Sequence, residues 1–151
     1  MRAVVQRVSS ASVDVDGRVV GAIGRGVCVL LGIASGDDED DAGVLASRVA
    51  RLRIFENEEG KLDRNVLDVA GEALVVSQFT LVAESRRHKG TRPDFSRAAR
   101  RYDAERLYER FSEELRRLGV QVATGEFGAR MRLELVNDGP VTIVLDAGEF
   151  P

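Results

Sequence analysis

One cysteine, one histidine and no tryptophan occur among the 151 residues, with three prolines, two tyrosines and six phenylalanines. A lone cysteine cannot close an internal disulfide, and with one histidine it cannot build a structural zinc site. Cys28 lies in the apolar run Val27-Cys28-Val29-Leu30-Leu31, which makes it a core thiol. A hydroxyl nucleophile normally needs a base, and the one imidazole, His88, stands in a charged segment that lends a Ser/Thr–His–acid triad no support. Three prolines and no low-complexity tract argue against long disordered linkers. No run is long enough to cross a bilayer, and Met1 to Arg7 holds one short apolar pair between charges, which is no secretory h-region. Gly-Lys-Ser/Thr loops, a dinucleotide fingerprint and His-Glu metal motifs are all missing, so kinase, nicotinamide and zinc-hydrolase readings have no support. No metal and no cofactor are expected, no membrane association, and a cytoplasmic setting.

What is there reads as globular: 44% hydrophobic and 31% charged residues. A chain of this length makes one domain, residues 1–151, able to bury about two-thirds of its unfolded surface. The net charge of −3 hides an asymmetry. Arg86, Arg87, Lys89, Arg92, Arg97, Arg100 and Arg101 fall within sixteen residues that hold one acid, Asp94. A basic segment on an acidic body is either the footprint of a phosphate-bearing partner or a solvated charged loop.

Val4, Val5 and Val8 begin a first strand. Val13-Asp14-Val15 alternates into Asp16-Gly17 and returns through Val19 to Ile23, a hairpin pattern. Val27 to Ile33 is continuously apolar, as in a strand buried on both faces. Asp37 or Asp38 can cap an amphipathic helix over about 39–53, with Ala42, Leu45, Val49 and Leu52 on its buried side. Glu56 to Arg64 reads as a loop or short hairpin. Ala73 to Val76 is a further apolar strand. Leu107, Phe111, Leu115 and Leu118 stripe a second helix that stops near Gly119. A short strand follows at Val120-Gln121-Val122, and Met131 to Asp146 alternates on both sides of Asn137-Asp138-Gly139-Pro140, which predicts a terminal hairpin. The fold class is α/β, mixed α and β. One compact domain carries an extensive, mostly antiparallel sheet with a barrel-like core and two main helices.

Polar residues at the end of an apolar strand are where α/β proteins commonly place their sites. Ser77, Gln78 and Thr80 hold that position. They either offer hydroxyls, an amide and backbone N–H groups to a substrate carbonyl, or simply satisfy the last groups of the strand. Pro140 has no N–H for a sheet ladder, and local chemistry alone makes it a rigid turn with a trans bond.

Longer motifs carry more. Gln6-Arg7-Val8 with Ala11 and Val13, the glycines from Gly21 to Gly26, Val29-Leu30-Leu31-Gly32, and Arg53-Ile54-Phe55 with Gly60-Lys61 form one set. Val75-Val76-Ser77-Gln78-Phe79-Thr80-Leu81, Lys89-Gly90 with Arg92-Pro93 and Phe95, Thr124-Gly125, and Phe127-Gly128 with Met131 form another. Leu135-Val136-Asn137-Asp138-Gly139-Pro140-Val141-Thr142 completes it. In this order the chain resembles the D-aminoacyl-tRNA deacylases, the bacterial-type D-tyrosyl-tRNA deacylase family, over nearly its whole length. Two places depart from the pattern. Val82 to Thr91, which includes His88, is about two residues longer than usual, and a proline is missing near Arg101.

The resemblance implies an ester hydrolase that removes D-amino acids, and glycine mischarged on tRNA-Ala, from tRNA. It also implies a homodimer with active sites at the interface and a cis Gly139-Pro140 bond. Gly139 and Pro140 would then form a chiral filter reaching the partner's site, and Arg7 would hold its backbone. Ser77, Gln78, Phe79 and Thr80 would line the catalytic wall, with backbone amides near the scissile carbonyl. Phe127, with Met131 beside it, would pack on the terminal adenine. Arg86, Arg87, Lys89, Arg92 and Arg97 would grip tRNA phosphates near the acceptor end. Thr80 is regarded in the family as a candidate nucleophile; with no adjacent base, positioning is the role expected of it. Two alternatives share the fold: a silent RNA-binding module, and an editing domain for L-aminoacyl-tRNA.

Overall fold

Apolar residues from Ala3 to Val15 draw out a first strand, β1 (Arg2–Val15), that serves as the template for the sheet. The computed structural model describes residues 1–84 and 90–148. Asp16 and Gly17 both take positive φ, +53° and +80°, and turn the chain into β2 (Arg18–Ile23). β3 (Gly26–Gly32) continues in the same direction, so β2 and β3 share one edge of β1, each antiparallel to it. A helix, α1 (Glu39–Arg51), and a two-stranded ribbon, β4 (Phe55–Glu56) with β5 (Leu62–Arg64), lead to β6 (Glu72–Ser77), parallel to β3. Then come α2 (Arg101–Arg117), β7 (Gln121–Thr124), parallel to β6, and β8 (Arg132–Asp146), antiparallel along the other edge of β1.

Strand alternation sorts side chains into two cores. Val27, Val29 and Leu31 of β3 and Ala73 and Val75 of β6 face α1 and α2, where Leu45, Val49, Phe111 and Leu115 meet them. Cys28, Leu74 and Val76 point the other way, into a smaller cluster enclosed by the curl of the sheet. That curl brings β2 onto β7 so closely that a Cβ on Gly21 would collide with the Thr124 carbonyl. In β1, Ala3 and Val5 belong to the helix-side core, whereas Ala11, Val13 and Val15 belong to the inner one. All five are odd-numbered, so a strict period of two cannot account for the change. It falls where the register with β8 slips between Val8 and Ser10, a bulge that leaves Ser9 as the extra residue.

The terminal hairpin is not formed. Both arms lie end to end on β1 as one strand, Leu133 and Leu135 against the inner core, Ile143 and Leu145 against the helix-side core. The register runs from Gln6 with Thr142 to Val8 with Asn137, so residues 138–141 are looped out opposite Arg7. A hairpin and a bulged single strand present the same alternation, and the 14-residue β1 offers both arms a partner the local pattern does not contain. Pro140 therefore spoils no pairing position, because its place in the ladder is vacant.

α1 begins at Glu39 as expected and ends at Arg51, two residues short of the expected 53, while α2 stops at Arg117, just before Gly119. Asp38 caps α1: its Oδ1 accepts from the Asp41 N–H and Asp41 Oδ2 accepts from the Asp38 N–H, both at 3.0 Å. In α2, Glu114 is buried between Arg110 and Arg117, whose donated hydrogen bonds hold its carboxyl down at about 2 against an ordinary 4.5. Because the folded value is the lower, these bonds contribute stability in full above the ordinary carboxylate range and lose it as pH falls towards 2. Glu114→Gln is accordingly expected to flatten the decline of stability between pH 4.5 and 2, measured by urea unfolding at successive pH values. Equal slopes in the two proteins would show that other carboxylates govern acid unfolding. No helix among the described residues is long and apolar enough to cross a membrane.

Candidate active site

β6 is buried through Val76, and its polar end emerges at a cavity of about 500 Å³. The Gln78 N–H is taken by the Leu31 carbonyl at 2.8 Å, which fixes the strand end against β3. A short 3-10 turn, Phe79–Val82, follows directly. Its first internal bond runs from the Leu81 N–H to the Gln78 carbonyl, so the Phe79 and Thr80 N–H groups precede the first bond of the turn. The Gln78 side-chain amide donates to Thr80 Oγ1 in a short contact. Thr80 and Phe79 are exposed.

Ser77, Gln78 and Phe79 share this cavity with Phe127 and Met131, far apart in sequence and brought together by the curl of the sheet. Phe127 rests against Tyr108 of α2, ring centroids 5.7 Å apart. The Tyr108 hydroxyl donates to the Val75 carbonyl at 2.7 Å, tying helix, strand and aromatic wall into one unit, and burial pushes the phenol up to about 12. Among the described residues lining the cavity there is no histidine and no carboxylate; the single charge is Arg101. Its lining is otherwise mostly apolar, suited to an aromatic base or an amino-acid side chain with one polar edge at Ser77 and Gln78. No group of three or more His, Cys, Asp or Glu among the described residues is placed to hold a metal ion.

Gly139 and Pro140 do not line this cavity. Their bond is cis, in the exposed loop that bulges from β8. Arg7, only 8% exposed, donates from Nε to the Asp138 carbonyl at 2.7 Å and from Nη1 to the Ile54 carbonyl at 2.8 Å. The base of the loop is closed by Asn137, whose Oδ1 accepts from the Val141 N–H at 2.8 Å while its Nδ2 donates to the Val141 carbonyl at 3.2 Å. Gly139 has φ +150°, and a Cβ there would lie 2.8 Å from the Val141 backbone nitrogen, so no side chain fits without moving the loop. Asn137 as a brace and the Ile54 carbonyl as a second anchor were not picked out by motif reading. An Asn four residues before a strand resumes was the one signal for the first, and the second had none.

The basic segment is only partly in view. Arg86, Arg87 and Lys89, with His88, lie outside the described residues. Arg92 is exposed beside Pro93 and Asp94. Arg97 is engaged with Glu84 at 2.6 Å, so a carboxylate already stands against its guanidinium. Phe95 stacks edge-on to Phe79 at 5.0 Å, joining the basic segment to the turn that follows β6.

The model of the D-Tyr-tRNA(Tyr) deacylase family matches residues 4–146. A D-aminoacyl-tRNA deacylase of Roseiflexus castenholzii is 59% identical over 150 residues, spanning 99% of this chain and 94% of that protein. One of Ruegeria pomeroyi is 57% identical over 146 residues, 97% of this chain and 99% of that protein. Among solved structures, the c-Myc DNA unwinding element binding protein superposes with a TM-score of 0.89 at 45% identity, covering 97% of this chain and 98% of its own.

Proposed function

The chain belongs to the D-Tyr-tRNA(Tyr) deacylase family, and from that premise we propose that it hydrolyses the ester joining a D-amino acid to the terminal ribose of tRNA. The observation that carries this reading is the shared cavity, in which the polar end of β6 meets Phe127 and Met131 with no histidine or carboxylate among the described residues of its lining. An aminoacyl ester is already activated, and the neighbouring ribose hydroxyl can assist water. Water adds to the carbonyl carbon, the carbon–oxygen bond to the ribose breaks, and the proton passes to the departing ribose oxygen. The negative charge that develops on the carbonyl oxygen is met by the Phe79 and Thr80 N–H groups. Phe127 stacks on the adenine, with Tyr108 as its rigid backing.

Chirality is read by the loop at Gly139-Pro140 of a second copy. Two features support a homodimer. Within one chain the loop stands apart from the cavity it would have to police. β8 is also a long outer strand with Val136 and Val144 more than half exposed. An L-side chain would meet the loop carbonyls, while a D-side chain points away and glycine, having none, passes. The same reading therefore extends to glycine mischarged on tRNA-Ala. A thousandfold preference requires about 4 kcal/mol, within reach of a steric clash together with a lost hydrogen bond. The basic segment, Arg92 in particular, follows the acceptor stem.

The test is incubation with D-tyrosyl-tRNA and L-tyrosyl-tRNA. Release of D-tyrosine alone supports the proposal. Release of neither at enzyme excess leaves an RNA-binding module, and release of L-tyrosine points to an editing domain. Thr80 serves here by position rather than as a nucleophile, so Thr80→Ala is expected to keep roughly a tenth of the turnover, the scale of one lost hydrogen bond. Complete loss with tRNA binding intact would make Thr80 the nucleophile instead.

A further inference from the structure

Arg101 is the sole charged side chain lining the cavity among the described residues, and it makes no hydrogen bond or ion pair with any of them. It opens α2, where Arg100 supplies no side-chain cap and the one acid in the first turn is Asp103. A cation at the positive end of a helix weakens the helix, so helix stability does not explain it. Its guanidinium lies instead against the loop that carries Phe127: a Cβ on Gly128 would sit 2.6 Å from Nη2. The guanidinium is thus seated against backbone that carries no side chain, and Arg101 borders the cavity.

The substrate end proposed above carries two ionic groups of opposite sign, the phosphate 5′ to the terminal adenosine and the α-ammonium of the amino acid. Arg101 attracts the first and repels the second. We infer that Arg101 binds the 5′-phosphate of the terminal nucleotide and so fixes the direction in which the acceptor end enters, with the aminoacyl group at Ser77 to Thr80. This rests on the deacylase reading. It makes Arg101 a binding residue that discriminates between the two ends of the substrate, and a guanidinium suits the task because it offers a phosphate two parallel donors.

Two uncleavable probes separate the claims: 3′-deoxy-3′-(D-tyrosylamino)adenosine with and without a 5′-phosphate, their affinities measured by calorimetry. The native protein is expected to favour the phosphorylated probe about tenfold, equivalent to about 1.4 kcal/mol. Arg101→Gln should bring the two affinities within about twofold, and Arg101→Lys should restore part of the difference. Thermal melts confirm that each variant is folded, as expected for an exposed side chain. If Arg101→Gln keeps the full preference, the assignment of Arg101 is wrong while the deacylase reading stands. If the native protein binds neither probe, the deacylase reading fails and the role of Arg101 fails with it.

Discussion

Arg7→Met is expected to destabilise the protein by about 2–3 kcal/mol and to let L-tyrosyl-tRNA be hydrolysed more than tenfold faster relative to the D-substrate. The two effects share a cause. Arg7 is a buried cation whose hydrogen bonds end on main-chain carbonyls, that of Asp138 at 2.7 Å and that of Ile54 at 2.8 Å. Methionine fills much the same volume but donates nothing. Ile54 is 3% exposed, so its carbonyl loses a partner that water cannot readily replace. Asp138 is exposed and can be solvated, yet the loop it begins is then held by Asn137 alone. The filter proposed for this loop depends on its not yielding, and a loop free to shift by a fraction of an ångström would admit the excluded enantiomer. Urea unfolding measures the first effect, and paired L- and D-tyrosyl-tRNA assays the second. Loss of stability with unchanged chiral discrimination would reduce Arg7 to a structural brace.

Gly26→Ala is expected to cost about 3 kcal/mol or more and to lower the melting temperature by about 6–12 °C. Gly26 pairs with Glu72 where β3 and β6 first meet. A Cβ there would overlap the Glu72 carbonyl and lie 2.7 Å from the Glu72 nitrogen, backbone atoms that can yield only if the strands part. β6 is the strand that delivers Ser77 to the cavity, so the damage passes along the pair to the proposed site. Activity should fall by more than the unfolded fraction explains. Gly24→Ala provides the control: its Cβ would come no closer than 3.8 Å to a neighbouring atom, the end of the Glu72 side chain. Scanning calorimetry that found the two variants equally stable would mean that the β3–β6 pair tolerates an extra methyl group.

Much of the fold was legible because it is governed by local chemistry. The continuous apolar run around Cys28 read as a strand covered on both sides, and β3 is covered by helices on one face and the inner cluster on the other. Asp37 or Asp38 was the expected cap of α1; Asp38 holds that place, and Asp41 completes a capping box the sequence reading did not pick out. Asp16-Gly17 marked the one hairpin of the long strands that does form. The alternation around Asn137 to Pro140 was read correctly as strand and wrongly as hairpin. A period of two says which residues share a face and nothing about which strand lies alongside. The partner, β1, is some 130 residues distant in sequence, beyond the reach of any local pattern.

The candidate site divides in the same way. Ser77 to Thr80 and Asn137 to Pro140 are contiguous motifs; their own residues left a plain strand end and a rigid trans turn as open readings, and only the family resemblance marked them as a candidate site. Arg101 could be counted in the basic segment but not placed. Its relation to Phe127, and that of Phe127 to Ser77, exist because the sheet curls until β2 lies on β7 and because α2 sets Tyr108 behind the aromatic wall. By itself the sequence determined most of the strands and the two helices, since each depends on interactions within a few residues. The tertiary structure decided that the last two arms form one bulged strand, that Arg7 spans two backbone segments, and that Arg101 is, among the described residues, the one charged side chain lining the cavity. Those outcomes depend on which distant surfaces bury each other, and burial is a property of the whole chain.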